Sequence, residues 1–487
     1  MTSPATAESI FGPSRRGLTI AIMACVGIIA YNNLAVSAAL PEIGADLGDV
    51  ALLPWTISAE LLTSGVAILV AGPLVDGLGP RRVFRWSVTA FVVTSIGCGI
   101  APSMVTLVAA RAVQGVAAGL LFTVTMAVIG LAYESDARAR VFASNSIVWG
   151  VMSVAGPSVA AVMVSVIDWR GVFFFNVPVA LIAAALAWRQ LPADAENAES
   201  SRRLDTRGIA LVTLVSAAGL AVVEGSVLAV VIGAAVSLIA LIGYIGHARR
   251  TPDPVVRIAH VWSERYRSIH TTSMLAVGGS LGFHAFIPVY LRAGRGVSTT
   301  VAAFSVIYLS AGWTTGAVAS SRLQRRLGLE PVVLVGALLL VPGFYAATLA
   351  VLTDGPFWLL YAGLVLAGTG VGTISTTGTN VLQTRSPASE MGRVSAAHQF
   401  VRTLFITYGV GIAGALILTT VDRRTGDVEA VRELLSDEGT QVDPTVADAL
   451  TTGFGYTMLA ACVAATLTVP SALRLVRTRT EAVTSAA

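Results

Sequence analysis

Apolar runs of about twenty residues recur along the chain between short polar breaks, and each is long enough for one helical crossing of a bilayer. A window of about 19 residues predicts helices over 17–40, 51–75, 83–101, 104–132, 139–166 and 170–188. A tight pair follows at 207–225 and 227–246, and then 268–293, 298–321, 331–352, 357–382, 392–420 and 450–475. Glu224, Gly225 and Ser226 divide the tight pair into a hairpin. The pattern predicts an all-α polytopic membrane protein of about 14 transmembrane spans.

The polar segments divide the chain into 1–188 with six spans, a linker at 189–206, an inserted hairpin at 207–246, a second linker at 247–267, and 268–487 with six more spans. In the second linker Pro252 and Pro254 are followed by Val255, Val256, Ile258, Val261 and Trp262 among arginines, the pattern of an amphipathic segment able to lie on a membrane surface. The loop 422–449 carries an acidic, helix-like run from Asp427 to Glu438. Arginine marks one side. Arg81, Arg82, Arg138, Arg140, Arg202, Arg203, Arg249, Arg250, Arg322, Arg325, Arg326 and Arg385 occupy alternate loops, and Arg474, Arg477 and Arg479 the tail. The opposite loops are short and mostly acidic or neutral, apart from Arg292, Arg295, Arg423, Arg424 and Arg432. The positive-inside rule then predicts both termini in the cytoplasm. Residues 1–14 are polar, and the first apolar run is too long for a signal h-region, so the N-terminus reads as the start of a spanning helix behind Arg15 and Arg16.

Composition agrees. The 487 residues are 55% hydrophobic and 12% charged, about half the charge of a soluble domain. That balance excludes a soluble enzyme, a disordered chain and a nucleic-acid binder. The net charge of +4 is all arginine over acid, with no lysine, and it marks loop topology. Cys25, Cys98 and Cys462 lie singly in apolar runs and read as small buried residues. No cofactor or metal is expected, and no H-E-x-x-H, P-loop or G-x-S-x-G motif offers enzymatic chemistry.

Four segments, in order, carry a family resemblance. Gly72-Pro-Leu-Val-Asp76-Gly-Leu-Gly79-Pro80-Arg81-Arg82 resembles the loop between helices 2 and 3 of the major facilitator superfamily. Asp76 there is placed to pair with an arginine or to cap a helix N-terminus; Pro80 stands where the family has an arginine. Arg111, Gln114 and Gly115 resemble the helix-4 motif, which sets a cation inside an apolar span. Gly150, Gly156 and Pro157 resemble the antiporter motif of helix 5, where glycine lets helices approach and proline bends the axis. Asp168-Trp169-Arg170 with Asn176 and Pro178, together with Gly392-Arg393 and Gln399 to Gly414, is similar to the 14-span drug:proton antiporters. The resemblance implies two six-helix bundles, alternating access around a cavity, and two extra helices between the bundles. It also implies export of an amphiphilic, fairly apolar compound against protons from a bacterial cytoplasmic membrane, by a monomer contacting membrane lipids.

One departure bears on mechanism. The drug:proton antiporters carry an aspartate in helix 1, and here Asn32, followed by Asn33, occupies that place. An amide does not titrate. Glu60, inside the second span, is the substitute proton carrier, with Glu224 at the hairpin end a second; a structural pairing of Glu60 with an arginine is the alternative. Trp149, His284, Tyr290, Trp313, His398 and Arg402 are candidates for the cavity wall or the substrate. His398 and Arg402 share a helical face near the basic end of their span, where anchoring is the other reading. Loss of the helix-1 acid also opens a second function: a lipid or glycolipid exporter or facilitator without proton coupling.

Overall fold

The computed structural model describes residues 10–49, 52, 55–192, 205–224, 227–284, 286–426 and 443–484. Apart from one three-residue 3-10 turn, the described elements are all α-helices: α1 (Arg16–Leu47), α2 (Trp55–Leu78), α3 (Pro80–Gly99), α4 (Met104–Ala132), α5 (Ser135–Val166), α6 (Arg170–Phe174), α7 (Asn176–Ala187), α8 (Thr206–Glu224) and α9 (Val227–Ala248). They continue as α10 (Ile258–Trp262), α11 (Arg267–His284), α12 (Ile287–Arg295), α13 (Thr299–Phe304), α14 (Val306–Leu327), α15 (Leu329–Leu352), α16 (Phe357–Thr384), α17 (Met391–Thr425) and α18 (Pro444–Thr484). Among the described residues, 10 helices are long and apolar enough to cross a membrane. Helices also cover the remaining predicted runs at 83–101, 139–166, 207–225 and 298–321. Arg81, Arg82 and Arg85 occupy the first turns of α3, Arg138 and Arg140 those of α5, and Arg325 and Arg326 the last turn of α14. The described apolar stretch of α8 runs only over Thr206–Ala218.

Three predicted spans are broken. The run at 268–293 becomes α11 and α12, because Pro288 lacks an N–H and its ring crowds the carbonyl of His284. The run at 298–321 divides at Ser305 into α13 and α14, and that at 170–188 divides at Phe175. The segment expected on the membrane surface is turned inward at its start. Val255 and Val256 are 7% and 8% exposed, and the Tyr244 hydroxyl donates to Val256 O and accepts from Val256 N–H at 2.7 Å each. Trp262, by contrast, is exposed. The acidic run Asp427–Glu438 and most of the linker 189–206 lie outside the described residues.

Two compact units divide the chain. The first comprises Met1–Thr213, Tyr244–Val261 and Leu382–Phe400; the second comprises Leu214–Gly243, Trp262–Val381 and Val401–Ala487. Stretches 244–261 and 382–400 belong with the first unit. In that unit α2 packs on α4, α1 on α5 and α3 on α4. Tyr31, Ile43, Met104, Leu107, Trp169 and Phe173 fill one core, and Phe91, Leu121, Val124 and Ile129 belong to the other. In the second unit α18 packs against α11 and α15. Ile239 and Trp358 are 70% and 69% exposed, a placement suited to hydrocarbon surroundings.

Candidate functional site

In the first unit four helices converge on one cation. Arg111 of α4 is 1% exposed, and such a charge inside an apolar span needs partners. Its Nε donates to Thr56 O of α2 at 2.7 Å, and its Nη1 donates to Asn32 Oδ1 of α1 at 3.1 Å and to Gln114 Oε1 at 2.7 Å. Gln114 lies three residues on, hence on the same face of α4, and passes the chain of bonds to Ser95 Oγ of α3 at 2.8 Å. Glu60 Oε2 of α2 stands 3.7 Å from Arg111 Nη2, with both side chains at most 3% exposed. At that distance the pair is Coulombic, without a hydrogen bond. The hydrogen bonds of Arg111 therefore all go to neutral acceptors, while Glu60 supplies the compensating charge alone. Asn176 Nδ2 of α7 reaches Asn32 Oδ1 at 3.5 Å, and the Phe173 ring lies 5.8 Å from the guanidinium.

Gly115 makes this convergence possible. A Cβ there would collide with the carbonyl of Glu60 and the Thr63 hydroxyl, so only glycine lets α4 lie against α2 at the level of the ion pair.

A second cluster in the same unit surrounds Asp76, near the end of α2. Oδ1 accepts from Gly392 N–H at 2.7 Å and Oδ2 from Arg393 N–H at 2.9 Å, so the carboxylate sits on the N-terminal turn of α17. Gly72, one turn earlier, leaves room for this approach: a Cβ would meet Arg393 Cα at 2.9 Å and the Ala396 methyl at 2.8 Å. Gly79, at φ 88°, turns the chain into α3, with Pro80 at the first helical position. The Arg393 guanidinium donates to both oxygens of Asp253, at 2.5 and 2.9 Å. Arg257 joins Asp253 at 3.2 Å to Glu390 at 3.1 Å, and His260 lies 3.4 Å from Glu390. Burial lowers the His260 pKa below the ordinary imidazole range, against the opposing pull of Glu390. Arg81 Nη2 donates to Leu191 O at 2.9 Å.

The structure thus gathers Asn32, Glu60, Arg111, Gln114 and Gly115 in one place, and Gly72, Asp76 and Gly79 in another. Asn176, part of the motif that opens the sixth span, joins the first place, and sequence reading missed Thr56, Ser95, Asp253, Arg257, His260 and Glu390. Of these only Asp253, an acid between two prolines of a basic linker, carried a local signal. The other candidates are dispersed. Gly156 meets Leu34 Cβ at 3.6 Å with room for a methyl group, and Trp149 is 38% exposed on α5, which also carries Gly150 and Pro157. Asn33 is half-buried, and Glu224 ends α8 with its side chain outside the described residues. His398 is buried on α17. His284 Nε2 lies 3.2 Å from Val306 O, and Tyr290 is stacked on Phe454 at 4.6 Å with its hydroxyl taken by Arg295. Arg402 lies over the Trp313 ring at 5.5 Å in the second unit.

A family model described as Major Facilitator Superfamily matches residues 20–410. The chain is 26% identical over 395 residues to the multidrug transporter protein MdtP of Bacillus subtilis, covering 80% of this chain and 72% of that protein. It is 26% identical over 423 residues to the tetracenomycin C resistance and export protein of Streptomyces glaucescens, covering 84% and 76%. An uncharacterized MFS-type transporter, Rv1877 of Mycobacterium tuberculosis, is 28% identical over 446 residues, and the match spans 64% of its length. Among solved structures, the human organic anion transporter MFSD10 superposes with a TM-score of 0.61 at 14% identity, covering 93% of this chain and 99% of that one, and so shares the fold.

Proposed function

Because the chain belongs to the Major Facilitator Superfamily, a family of non-enzymatic membrane carriers, we propose that it exports amphiphilic, fairly apolar compounds by alternating access, driven by protons. In this reading it is a 14-span carrier of the drug:proton antiporter type in a bacterial cytoplasmic membrane, a monomer with both termini in the cytoplasm. Residues 1–188 and 268–487 form its two six-helix bundles. Relatives named for multidrug transport and antibiotic resistance support the cargo class.

The observation that carries the coupling is the separation of roles around Arg111. Its hydrogen bonds run to Asn32, Gln114 and Thr56, so Glu60 can gain or lose a proton without dismantling them. Protonation cancels the attraction across 3.7 Å and frees α2 to move against α4; deprotonation restores it. Asn32 then takes over the positioning half of the missing helix-1 acid, and Glu60 the titrating half. Glu224 is the reserve carrier. The Asp76 cap on α17 serves as the cytoplasmic gate contact, made in one conformation and broken in the other.

Proteoliposomes with an imposed pH gradient test this. Wild-type protein is expected to expel a panel of amphiphilic dyes in response to the gradient, and Glu60→Gln to bind them without responding to it. An unchanged gradient response in Glu60→Gln removes Glu60 from the mechanism. Transport indifferent to a protonophore in the wild type moves the reading to the facilitator of lipids or glycolipids, the function that Asn32 in the place of an acid favours.

A further inference from the structure

We propose that Arg402 and Trp313 form a recognition site for an anionic group, a carboxylate or a phosphate carried on an apolar body. The inference rests on the export reading for its physiological role and on its own geometry for binding.

Arg402 lies nine residues beyond Arg393 on α17, and Trp313 nine residues before Arg322 on α14. Each is therefore about 14 Å along its helix from the basic end. The two match in depth, and the guanidinium lies over the indole at 5.5 Å. Its Nε is buried without a partner, and the side chain makes no hydrogen bond or ion pair among the described residues. Two other arginines of this unit show what is missing. Arg295 is paired with Asp354 at 3.2 Å and donates to Gly355 O, and Arg424 is paired with Asp448 at 2.8 Å. Among the described residues no such partner is within reach of Arg402. The described carboxylates of the second unit lie in loops or within five residues of a helix end: Glu330, Asp422 and Asp448 are examples.

An intramembrane cation is retained against its desolvation cost when something compensates it. The indole face supplies part of that and fixes the guanidinium plane, leaving its N–H fork to a bidentate acceptor. A cationic ligand would be repelled there. The Trp313 ring and Phe405, three residues on from Arg402 and 37% exposed, provide apolar surface beside the charge for the body of the ligand.

Two dansyl probes with one apolar body, dansyl-aminooctanoate and its methylamide, test the site by fluorescence titration of the full-length protein in phosphatidylcholine nanodiscs. The carboxylate is expected to bind the wild type about tenfold tighter than the amide. Arg402→Gln should erase the difference, and Arg402→Lys, which keeps the charge and loses the fork, should retain about threefold. If Arg402→Gln does not fold, the lysine variant alone decides the matter through that reduced preference. Equal binding of the two probes to the wild type, or an undiminished preference in the folded variants, overturns the site. Discs containing phosphatidylglycerol separate the sources: weakened carboxylate binding there identifies a lipid phosphate as the occupant, and unchanged binding identifies a soluble anion. Efflux of neither probe alongside an intact binding preference counts against the export reading and supports the anion site as binding alone.

Discussion

Arg111 and Arg402 are both arginines set well inside apolar helices, and the protein treats them oppositely. Arg111 is surrounded: a carbonyl, two amides and a carboxylate from four other residues on α1, α2 and α4 meet its guanidinium. Arg402 has one indole face. The first arrangement stores its compensation inside the fold, so that losing any member leaves a buried group exposed to hydrocarbon. The second leaves compensation to come from elsewhere. Burial alone therefore does not distinguish a structural charge from one poised for a ligand; the count of satisfied N–H groups does.

The contrast makes its largest prediction on stability. Arg111→Met strands Glu60 as an uncompensated buried carboxyl and should cost about 3–5 kcal/mol, read as a fall in thermal midpoint in detergent. Adding Glu60→Leu should recover most of that loss, since replacing both members of a buried pair with apolar groups is close to neutral. Arg402→Gln should change stability by less than about 1 kcal/mol, because only the indole contact is lost. A collapse of Arg402→Gln comparable to that of Arg111→Met would erase the distinction between the two sites.

Next in size is Gly115→Ala, which pushes a methyl group into the Glu60 carbonyl. It should cost about 1–3 kcal/mol and lower gradient-driven efflux more than binding, since it pries α4 from α2 at the ion pair. Gly156→Ala, whose Cβ meets only an ordinary contact with Leu34, is the control and should be tolerated. Asp76→Asn then weakens a charge-assisted cap and should cost about 1 kcal/mol, seen as a modest fall in thermal midpoint.

The smallest effect belongs to the exposed pair at the far end of α1. Trp169 Nε1–H at 3.0 Å, and then Arg170, hold the Asp46 carboxyl below its ordinary value of 3.8. A carboxyl lowered in the folded state stabilises above its unfolded value, and that contribution is lost as pH falls through the folded one. Melting curves from pH 7 to 3 should therefore show the wild type the more stable near neutrality and a steeper loss below about pH 4 than in Asp46→Asn, with the two converging at the acid end.

The helices were legible in the chain because hydrocarbon thickness imposes a run length, and a run of Ala, Val, Leu and Ile shows it directly. The breaks at Ser305 and Phe175 were not, since neither position carries a turn signal, whereas Pro288 could have announced its own. Within the site, Arg111 with Gln114 was legible because three residues of helix set them on one face. That Glu60 and Asn32 meet the same guanidinium was not, because Asn32 is 79 residues from it and only the packing of α1, α2 and α4 joins them. Asp76 as a capping acid was readable from its loop. The further pairing of Arg393 with Asp253, 140 residues apart, depends on where a linker folds back, and local pattern says nothing of that.

The two bonds that Asp76 accepts from α17 come from main-chain N–H groups. Bonds of that kind are read off the backbone, so only the longer ion pair, Arg393 Nε to Asp76 Oδ2 at 3.9 Å, depends on which side chain occupies position 393. That first turn can be recoded, by drift or by design, with the contact kept, provided residue 392 has no Cβ to displace the Asp76 oxygen 2.6 Å away. A chain so built can change which partners its linker salt bridges choose while leaving the two main-chain bonds to Asp76 untouched.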